Sequence, residues 1–172
     1  NKRVGSNERR YKMIKMLRID DRLIHGQIAV VWSKELGVDR IVVANDKVAV
    51  NDVQKATLKM AAPATVKCSI LSVEDACDIF NDPRAASMKI LAIVNNTDDA
   101  RRICEKVTNV NLFNVGNYGL ISGDVAKKRK VGDTFYVDDH DVENLKAIVA
   151  LGIPSVYQLV PTNPVRQIKD LI

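Results

Sequence analysis

The sequence predicts an α/β fold: a doubly wound, mostly parallel sheet of about seven strands with helices on both faces. Short apolar runs rich in β-branched residues alternate along the chain with longer segments of helical period, which is the βαβ pattern. The runs IVVAN and ILAIVN, at residues 41–45 and 90–95, are continuously apolar up to a final asparagine, and such stretches are typical of strands covered on both faces. A chain of 172 residues without an internal repeat fits one such domain.

The predicted strands are the short runs in which β-branched and other apolar residues cluster between turn residues. They are residues 16–19, 40–45, 66–71, 89–95, 111–115, 134–137 and 155–160. After the first strand, Ile28, Trp32 and Leu36 recur every four residues, on one face of a helix. We therefore predict a helix over residues 27–36, which Gly37 ends by supplying a left-handed residue.

The second predicted helix follows the strand at residues 40–45. Asn51 is a suitable N-cap for it, and Pro63 ends it. Its residues Val53, Ala56 and Met60 share helical spacing, so we expect them to be buried.

Three further helices lie between the later strands. Ser72 and Asp75 resemble a capping box for a short one. Asp98 and Asp99 fall in the first turn of the next, where acidic side chains favour the positive end of the helix dipole. The last helix is predicted over residues 141–151.

Residues 117–133 form a long connection without a clear helical face. It contains three glycines and a basic run at residues 127–130. Such runs are usually solvated loops, with a surface for a partner or an anion as the alternative. Long connections of this kind are often functional.

The net charge of +5 lies mostly in the first twelve residues, which carry five basic residues against one acidic, a net of +4. The remaining 160 residues therefore carry only +1. A nucleic-acid-binding protein presents a basic surface on its folded domain, so this distribution speaks against nucleic acid as a partner. We expect residues 1–12 to be a disordered leader, a tag or a linker, and residues 13–172 to form the domain.

The compartment that the sequence predicts is the cytoplasm. The apolar runs are far shorter than the roughly 20 residues that cross a bilayer. The first twelve residues lack the apolar stretch of a signal peptide. Three cysteines, Cys68, Cys77 and Cys104, form neither a CxxC pair nor an even set for disulfides, which is typical of a reducing compartment.

The densest cluster of reactive side chains follows the first strand, at residues 20–27, and ligands of open α/β sheets bind at the carboxyl ends of strands. His25 would stand at a helix N-terminus, where unpaired amides favour an anion such as a phosphate. Arg22 offers a planar fork of donors for phosphoryl oxygens, and Asp20 or Asp21 would orient either side chain. A plainer interpretation remains open, because loop histidines are often structural and aspartates often serve turns or caps.

Motifs of cofactor and metal chemistry are missing or weak. Gly116, Gly119 and Gly123 do not have the spacing of a dinucleotide fingerprint, and the sequence has no P-loop and no GxSxG elbow. His140 lies in an acidic run at residues 138–141, but no cysteine or histidine has zinc-like spacing nearby, which favours helix capping over metal binding. We expect neither a cofactor nor a metal.

The segment LRIDDRLIHGQ, at residues 17–27, resembles the active-site loop of the IIB subunits of the mannose, fructose and sorbose family of the bacterial sugar phosphotransferase system. Further similar segments are VANDKVAVNDVQKATLKMAAP at residues 43–63, FNVGN at 113–117 and LVPTNP at 159–164. The resemblance covers residues 13–172.

The resemblance implies a phosphotransferase that carries a phosphoryl group. His25 would accept the group, at Nδ1, from a phosphohistidine of a IIA protein and pass it to a sugar bound by membrane IIC and IID subunits. Arg22 would help to hold the group, and the amides of Gly26 and Gln27 would receive it. The resemblance also implies a parallel-sheet α/β domain that works in the cytoplasm, peripheral to the inner face of the membrane.

Two other functions remain open at this point. One is a sugar-phosphate or nucleotide enzyme with His25 as a general base, which would not become stably phosphorylated. The other is a nucleic-acid-binding regulatory module that uses residues 1–12 and 127–130, whose binding would depend on salt.

Overall fold

The computed structural model describes residues 13–121 and 124–172, so the prediction for residues 1–12 lies outside the described part. The strands are β1 (Ile14–Asp20), β2 (Arg40–Ala44), β3 (Lys67–Leu71), β4 (Ile90–Val94), β5 (Phe113–Asn117), β6 (Arg129–Gly132), β7 (Phe135–Val137), β8 (Ser155–Tyr157) and β9 (Arg166–Gln167). The α-helices are α1 (Gly26–Leu36), α2 (Asp46–Ala49), α3 (Asp52–Ala61), α4 (Val73–Phe80), α5 (Thr97–Lys106) and α6 (Asp139–Ala150).

The main sheet has seven strands in the order β3-β2-β4-β1-β5-β8-β9. All neighbouring strands are parallel except β8 and β9, which are antiparallel. The predicted fold class is therefore confirmed. β1 lies inside the sheet, between β4 and β5, so the loop that follows it is flanked by the carboxyl ends of both neighbours.

Each face of the sheet carries its own apolar core, because successive side chains of a strand point to opposite faces. In β1, Met16 belongs to the cluster that contains Ala29 and Trp32 of α1. Leu17 and Ile19 belong to the cluster on the other face, with residues of α4, α5 and α6. β4 is buried along its whole length, which explains its continuous apolar run.

The sixth predicted strand does not join the main sheet, so its predicted place is wrong. It forms β7, which pairs antiparallel with β6 in a separate two-stranded sheet. The seventh strand of the main sheet is β9, an exposed strand of two residues that sequence reasoning missed. Neither β6 nor β9 has an apolar pattern, because both are polar and largely exposed.

The predicted burial on α3 is also wrong, although its cap is confirmed: Asn51 Oδ1 accepts a hydrogen bond from the amide of Gln54 at 3.0 Å. Val53 and Met60 are 77% and 86% exposed, and Ala56 is exposed as well. Leu58 and Ala61 pack against the core instead. The helix is apolar on two sides, and periodicity alone does not say which side faces the sheet.

Candidate functional site

The loop between β1 and α1 makes a sharp turn that presents His25 at the start of the helix. Leu23 and Gly26 have φ angles of 60° and 49°, in the left-handed region. Leu23 is not a glycine, so this conformation costs energy. Its side chain and that of Ile24 are buried in the core under α1, which holds the turn in place. The His25 side chain remains 22% exposed.

Asp20, the last residue of β1, organises this loop from inside. Its side chain is fully buried, and Oδ1 accepts a hydrogen bond from the Arg22 amide at 3.0 Å. Its Oδ2 lies 3.0 Å from Nε2 of His25. A carboxylate only accepts hydrogen bonds, so this contact assigns the ring proton to Nε2 and leaves the lone pair of the neutral ring on Nδ1.

Arg18 is a site residue that sequence reasoning missed. Its guanidinium is 2% exposed and donates to Asp20 Oδ2 at 3.1 Å and to Asn114 Oδ1 at 2.8 Å. Burial lowers the pKa of Arg18, and the neighbouring Asp20 carboxylate opposes that shift. The ring of Trp32 lies 5.7 Å from its central carbon. A Cβ at Gly116 would overlap the guanidinium, so the glycine makes room for this buried charge.

A signal for Arg18 does exist in the sequence. In a strand, residues two apart point to the same face, so an arginine two positions before Asp20 lies on the same side as that carboxylate. A charged residue within the buried run of β1 needs such a partner.

The side chains of Arg22 and Asp21 take no part in the hydrogen bond between His25 and Asp20. The Arg22 side chain is exposed and borders an open cavity of 330 Å³ between the loop and α3. Asp21 Oδ2 accepts from the Leu120 amide at 3.1 Å, and the Asp21 amide donates to the Asn117 carbonyl at 2.7 Å. Burial raises the pKa of Asp21. In this arrangement Asp20 contacts both His25 and the Arg22 amide, whereas Asp21 ties the loop to the segment after β5.

Gly26 and Gln27 begin α1 and are exposed. The N-terminal amides of a helix lack partners within the helix, and α2 to α6 each satisfy some of theirs with the side chain of the N-cap residue. His25, the N-cap of α1, makes no such hydrogen bond, and the first turn of α1 has no acidic residue. This helix end therefore offers amides and positive potential to an anion.

His140 lies in a different environment, in the first turn of α6. Asp138 caps that helix, and Asp138 and Asp141 form a reciprocal capping box, as the preference for capping predicts. His140 Nε2 lies 2.7 Å from Asp98 Oδ1. Across residues 13–121 and 124–172, no group of three or more His, Cys, Asp or Glu side chains is placed to hold a metal ion.

The basic run at residues 127–130 is only partly a solvated loop. Lys127, Arg129 and Lys130 are exposed. The Lys128 side chain is 2% exposed, with Nζ 3.0 Å from Asp141 Oδ2, so the prediction of a solvated loop fails at this position.

In the described part of the chain, no helix is both long and apolar enough to cross a bilayer.

Comparison with known proteins places these residues in a family. The family described as "PTS system sorbose subfamily IIB component" matches residues 14–172. A probable phosphotransferase enzyme IIB component of Streptococcus pyogenes is 41% identical over 93% of this chain and 99% of its own. The mannose-specific EIIAB component of Escherichia coli is 35% identical over 99% of this chain, which spans 51% of that longer protein.

A solved structure shares the fold. The IIBSor domain of the sorbose permease from Klebsiella pneumoniae superimposes with a TM-score of 0.84 at 27% sequence identity. The match covers 92% of this chain and 94% of that domain.

Proposed function

Because the chain belongs to the sorbose subfamily of IIB components of the phosphotransferase system, phosphotransferases that relay a phosphoryl group in sugar uptake, we propose that His25 carries the group. The predicted family and function class are thereby confirmed, and the individual residue roles are the proposal. One observation carries it: Asp20 engages Nε2 of His25 and leaves Nδ1 for the phosphoryl group, at a helix N-terminus whose amides have no side-chain cap.

In the proposed step, the lone pair of His25 Nδ1 attacks the phosphorus of a phosphohistidine on a IIA protein. A new N–P bond forms, and the old N–P bond breaks and leaves its electron pair on the donor histidine. The phosphorylated His25 ring is cationic while Nε2 keeps its proton, and Asp20, 3.0 Å away, stabilises that charge. In the second half of the relay, a sugar hydroxyl attacks the same phosphorus. An O–P bond forms, the N–P bond breaks and returns its electron pair to His25 Nδ1, and the hydroxyl proton is released to solvent.

Phosphoryl transfer requires alignment and charge neutralisation more than covalent participation by the protein. The Arg22 side chain is exposed, so its guanidinium can donate two hydrogen bonds to the phosphoryl oxygens. The backbone amides of Gly26 and Gln27, at the N-terminus of α1, also donate to these oxygens. Arg18 donates a hydrogen bond to the same oxygen, Asp20 Oδ2, that contacts His25. The carboxylate is therefore held in place beside the imidazole.

The partners follow from this chemistry. Families of this type work with IIA and with membrane IIC and IID components, and the E. coli relative is named as an EIIAB protein. We propose a IIA phosphoprotein as the donor and a sugar held by IIC and IID as the acceptor. In this role the domain works in the cytoplasm, at the inner face of the membrane.

The test is transfer of a labelled phosphoryl group from a phosphorylated IIA protein. The wild-type chain and His140→Ala should both take up an acid-labile label, and His25→Ala should take up none. Label on His25→Ala would refute the role of His25. An enzyme that uses His25 as a general base would leave all three proteins unlabelled.

A further inference from the structure

Lys128 and Asp141 form a buried ion pair that the proposed mechanism does not use. The two side chains are 2% and 4% exposed, and Lys128 Nζ lies 3.0 Å from Asp141 Oδ2. Asp141 Oδ1 accepts from the Tyr118 hydroxyl at 2.6 Å and from the Thr97 hydroxyl at 2.7 Å. Oδ2 also accepts from the Asp138 amide at 3.0 Å, so every side of the carboxylate is engaged.

Lys128 also holds Tyr118 directly. Its ammonium donates to the Tyr118 hydroxyl at 3.1 Å and lies 4.3 Å from the ring centroid. Burial, and then the hydrogen bond to Asp141, raise the pKa of Tyr118, so the phenol keeps its proton and remains a donor. The side chain of Tyr118 is therefore fixed from two directions.

Tyr118 is connected to the His25 loop by a short and rigid path. The residue after it, Gly119, has a φ of 104°, and a Cβ there would overlap the carbonyl of Tyr136. The next residue, Leu120, donates its amide to Asp21, and the Asp21 amide donates to Asn117 on the other side of Tyr118. Two hydrogen bonds thus join the loop to the backbone on either side of Tyr118.

A buried ion pair is weak evidence for stability, because the desolvation of both charges offsets most of their attraction. Fixing one arrangement of the chain is a better-attested use of such a pair. Here both members of the pair contact the Tyr118 hydroxyl, and Leu120, two residues later, donates to Asp21, the neighbour of Asp20.

We propose that Lys128 and Asp141 are positioning residues for phosphoryl transfer: through Tyr118 they hold residues 117–121 against the loop that carries His25. The proposal rests on the proposed role of His25. Loss of the pair loosens the loop and displaces the histidine from its aligned position, which slows the transfer step while docking of the donor is unchanged. Displacements of about 1 Å cost up to about a hundredfold in aligned reactions.

The experiment compares Lys128→Met with Lys127→Met, which removes the adjacent but exposed lysine. The saturating rate of label transfer from phosphorylated IIA should fall about tenfold or more in Lys128→Met, with an unchanged half-saturating IIA concentration. Lys127→Met should transfer at the wild-type rate. Equal rates in the two variants would overturn the proposal, whereas an unlabelled wild-type chain would instead overturn the role of His25.

A second variant separates positioning from stability, because Lys128→Met alone leaves an uncompensated buried carboxylate and can unfold. The double variant Lys128→Met/Asp141→Asn removes both charges and should recover most of the lost melting temperature. Its transfer rate should remain slow, because the lysine contact to Tyr118 is still missing. Recovery of the rate together with the melting temperature would show a purely structural role and refute the proposal.

Discussion

The two histidines of the chain occupy similar positions with opposite surroundings. His25 and His140 both lie at the start of a helix, and both face an aspartate through Nε2. The aspartate of His25 is fully buried and fixed by Arg18, whereas Asp98, which faces His140, is 67% exposed. The first turn of α1 has no acidic residue, and that of α6 contains Asp139 and Asp141.

If His25 has the proposed role, a histidine–aspartate pair at a helix start is not by itself sufficient for a phosphoryl site, because His140 has such a pair in different surroundings. The hydrogen bond that His140 donates to the Asp98 carboxylate raises the pKa of His140, which favours a proton on the ring over a free lone pair. The carboxylates around it repel an anion. His25 combines a fixed ring with a helix end that still attracts one. Mutation can change each of these features separately.

The largest expected effect is the loss of stability when the Arg18–Asp20 ion pair is broken. Asp20→Asn leaves the Arg18 guanidinium buried without its counter-charge, which should lower the free energy of unfolding by about 3–5 kcal/mol. Asp82→Asn is the matched control, since Asp82 also pairs with an arginine two residues away, Arg84, but at the surface. Urea denaturation should show no comparable loss in the control. Equal stability of the two variants would contradict the supporting role of Arg18.

Arg22→Lys tests the clamp on the phosphoryl group. Lysine keeps the charge and loses the two-pronged geometry, so transfer to His25 should slow by about ten- to a thousandfold. The exposed position of Arg22 predicts an unchanged melting temperature. Rapid-quench transfer from phosphorylated IIA measures the rate, and a wild-type rate would reduce Arg22 to a surface residue.

Gln27→Glu gives α1 the acidic first turn of α6. The new charge should stabilise the helix by about 0.3–1 kcal/mol through the dipole. It should also slow transfer by about two- to tenfold, because it repels the incoming phosphoryl oxygens. Val31→Glu adds the same charge one turn later and should leave the rate nearer to that of the wild type. Faster transfer in Gln27→Glu would argue against the helix end as the anion site.

His140→Gln should have the smallest effect, confined to acidic pH. The raised pKa of His140 means that its pairing with Asp98 stabilises the fold below about pH 6.5, the ordinary value. That stability is lost as the pH rises through the raised value. Because both side chains are largely exposed, the difference should stay below about 1 kcal/mol. Melting curves at pH 5.5 and pH 9 measure it, and a larger difference at pH 9 would reverse the assigned sign.

Much of the site was predictable because it depends on local order in the sequence. The strand before Asp20 and the helical repeat of Ile28, Trp32 and Leu36 place His25 at a strand-to-helix loop, and both elements lie where periodicity predicts them. A polar residue such as Asn51 marks a helix start without reference to the rest of the fold.

The features that sequence reasoning missed depend on contacts between distant segments. The spacing of two residues between Arg18 and Asp20 signals a partner on the same face of the strand. No such signal in the sequence identifies Asn114 and Gly116 of the neighbouring strand, which supply a second acceptor and the space for the guanidinium. Lys128 is one of four adjacent basic residues, and only the packing of α6 against its segment selects it for burial. Periodicity and composition carry no information on such pairings.

The most direct test of the account is to locate the phosphorus on the phosphorylated wild-type chain. Phosphorus and nitrogen NMR of the uniformly ¹⁵N-labelled protein distinguishes the two ring nitrogens of each histidine. The hydrogen bond between Asp20 and Nε2 predicts a single phosphohistidine, at Nδ1 of His25, with the proton still on Nε2. A phosphoryl group on Nε2 of His25, or on His140, would contradict the central claim.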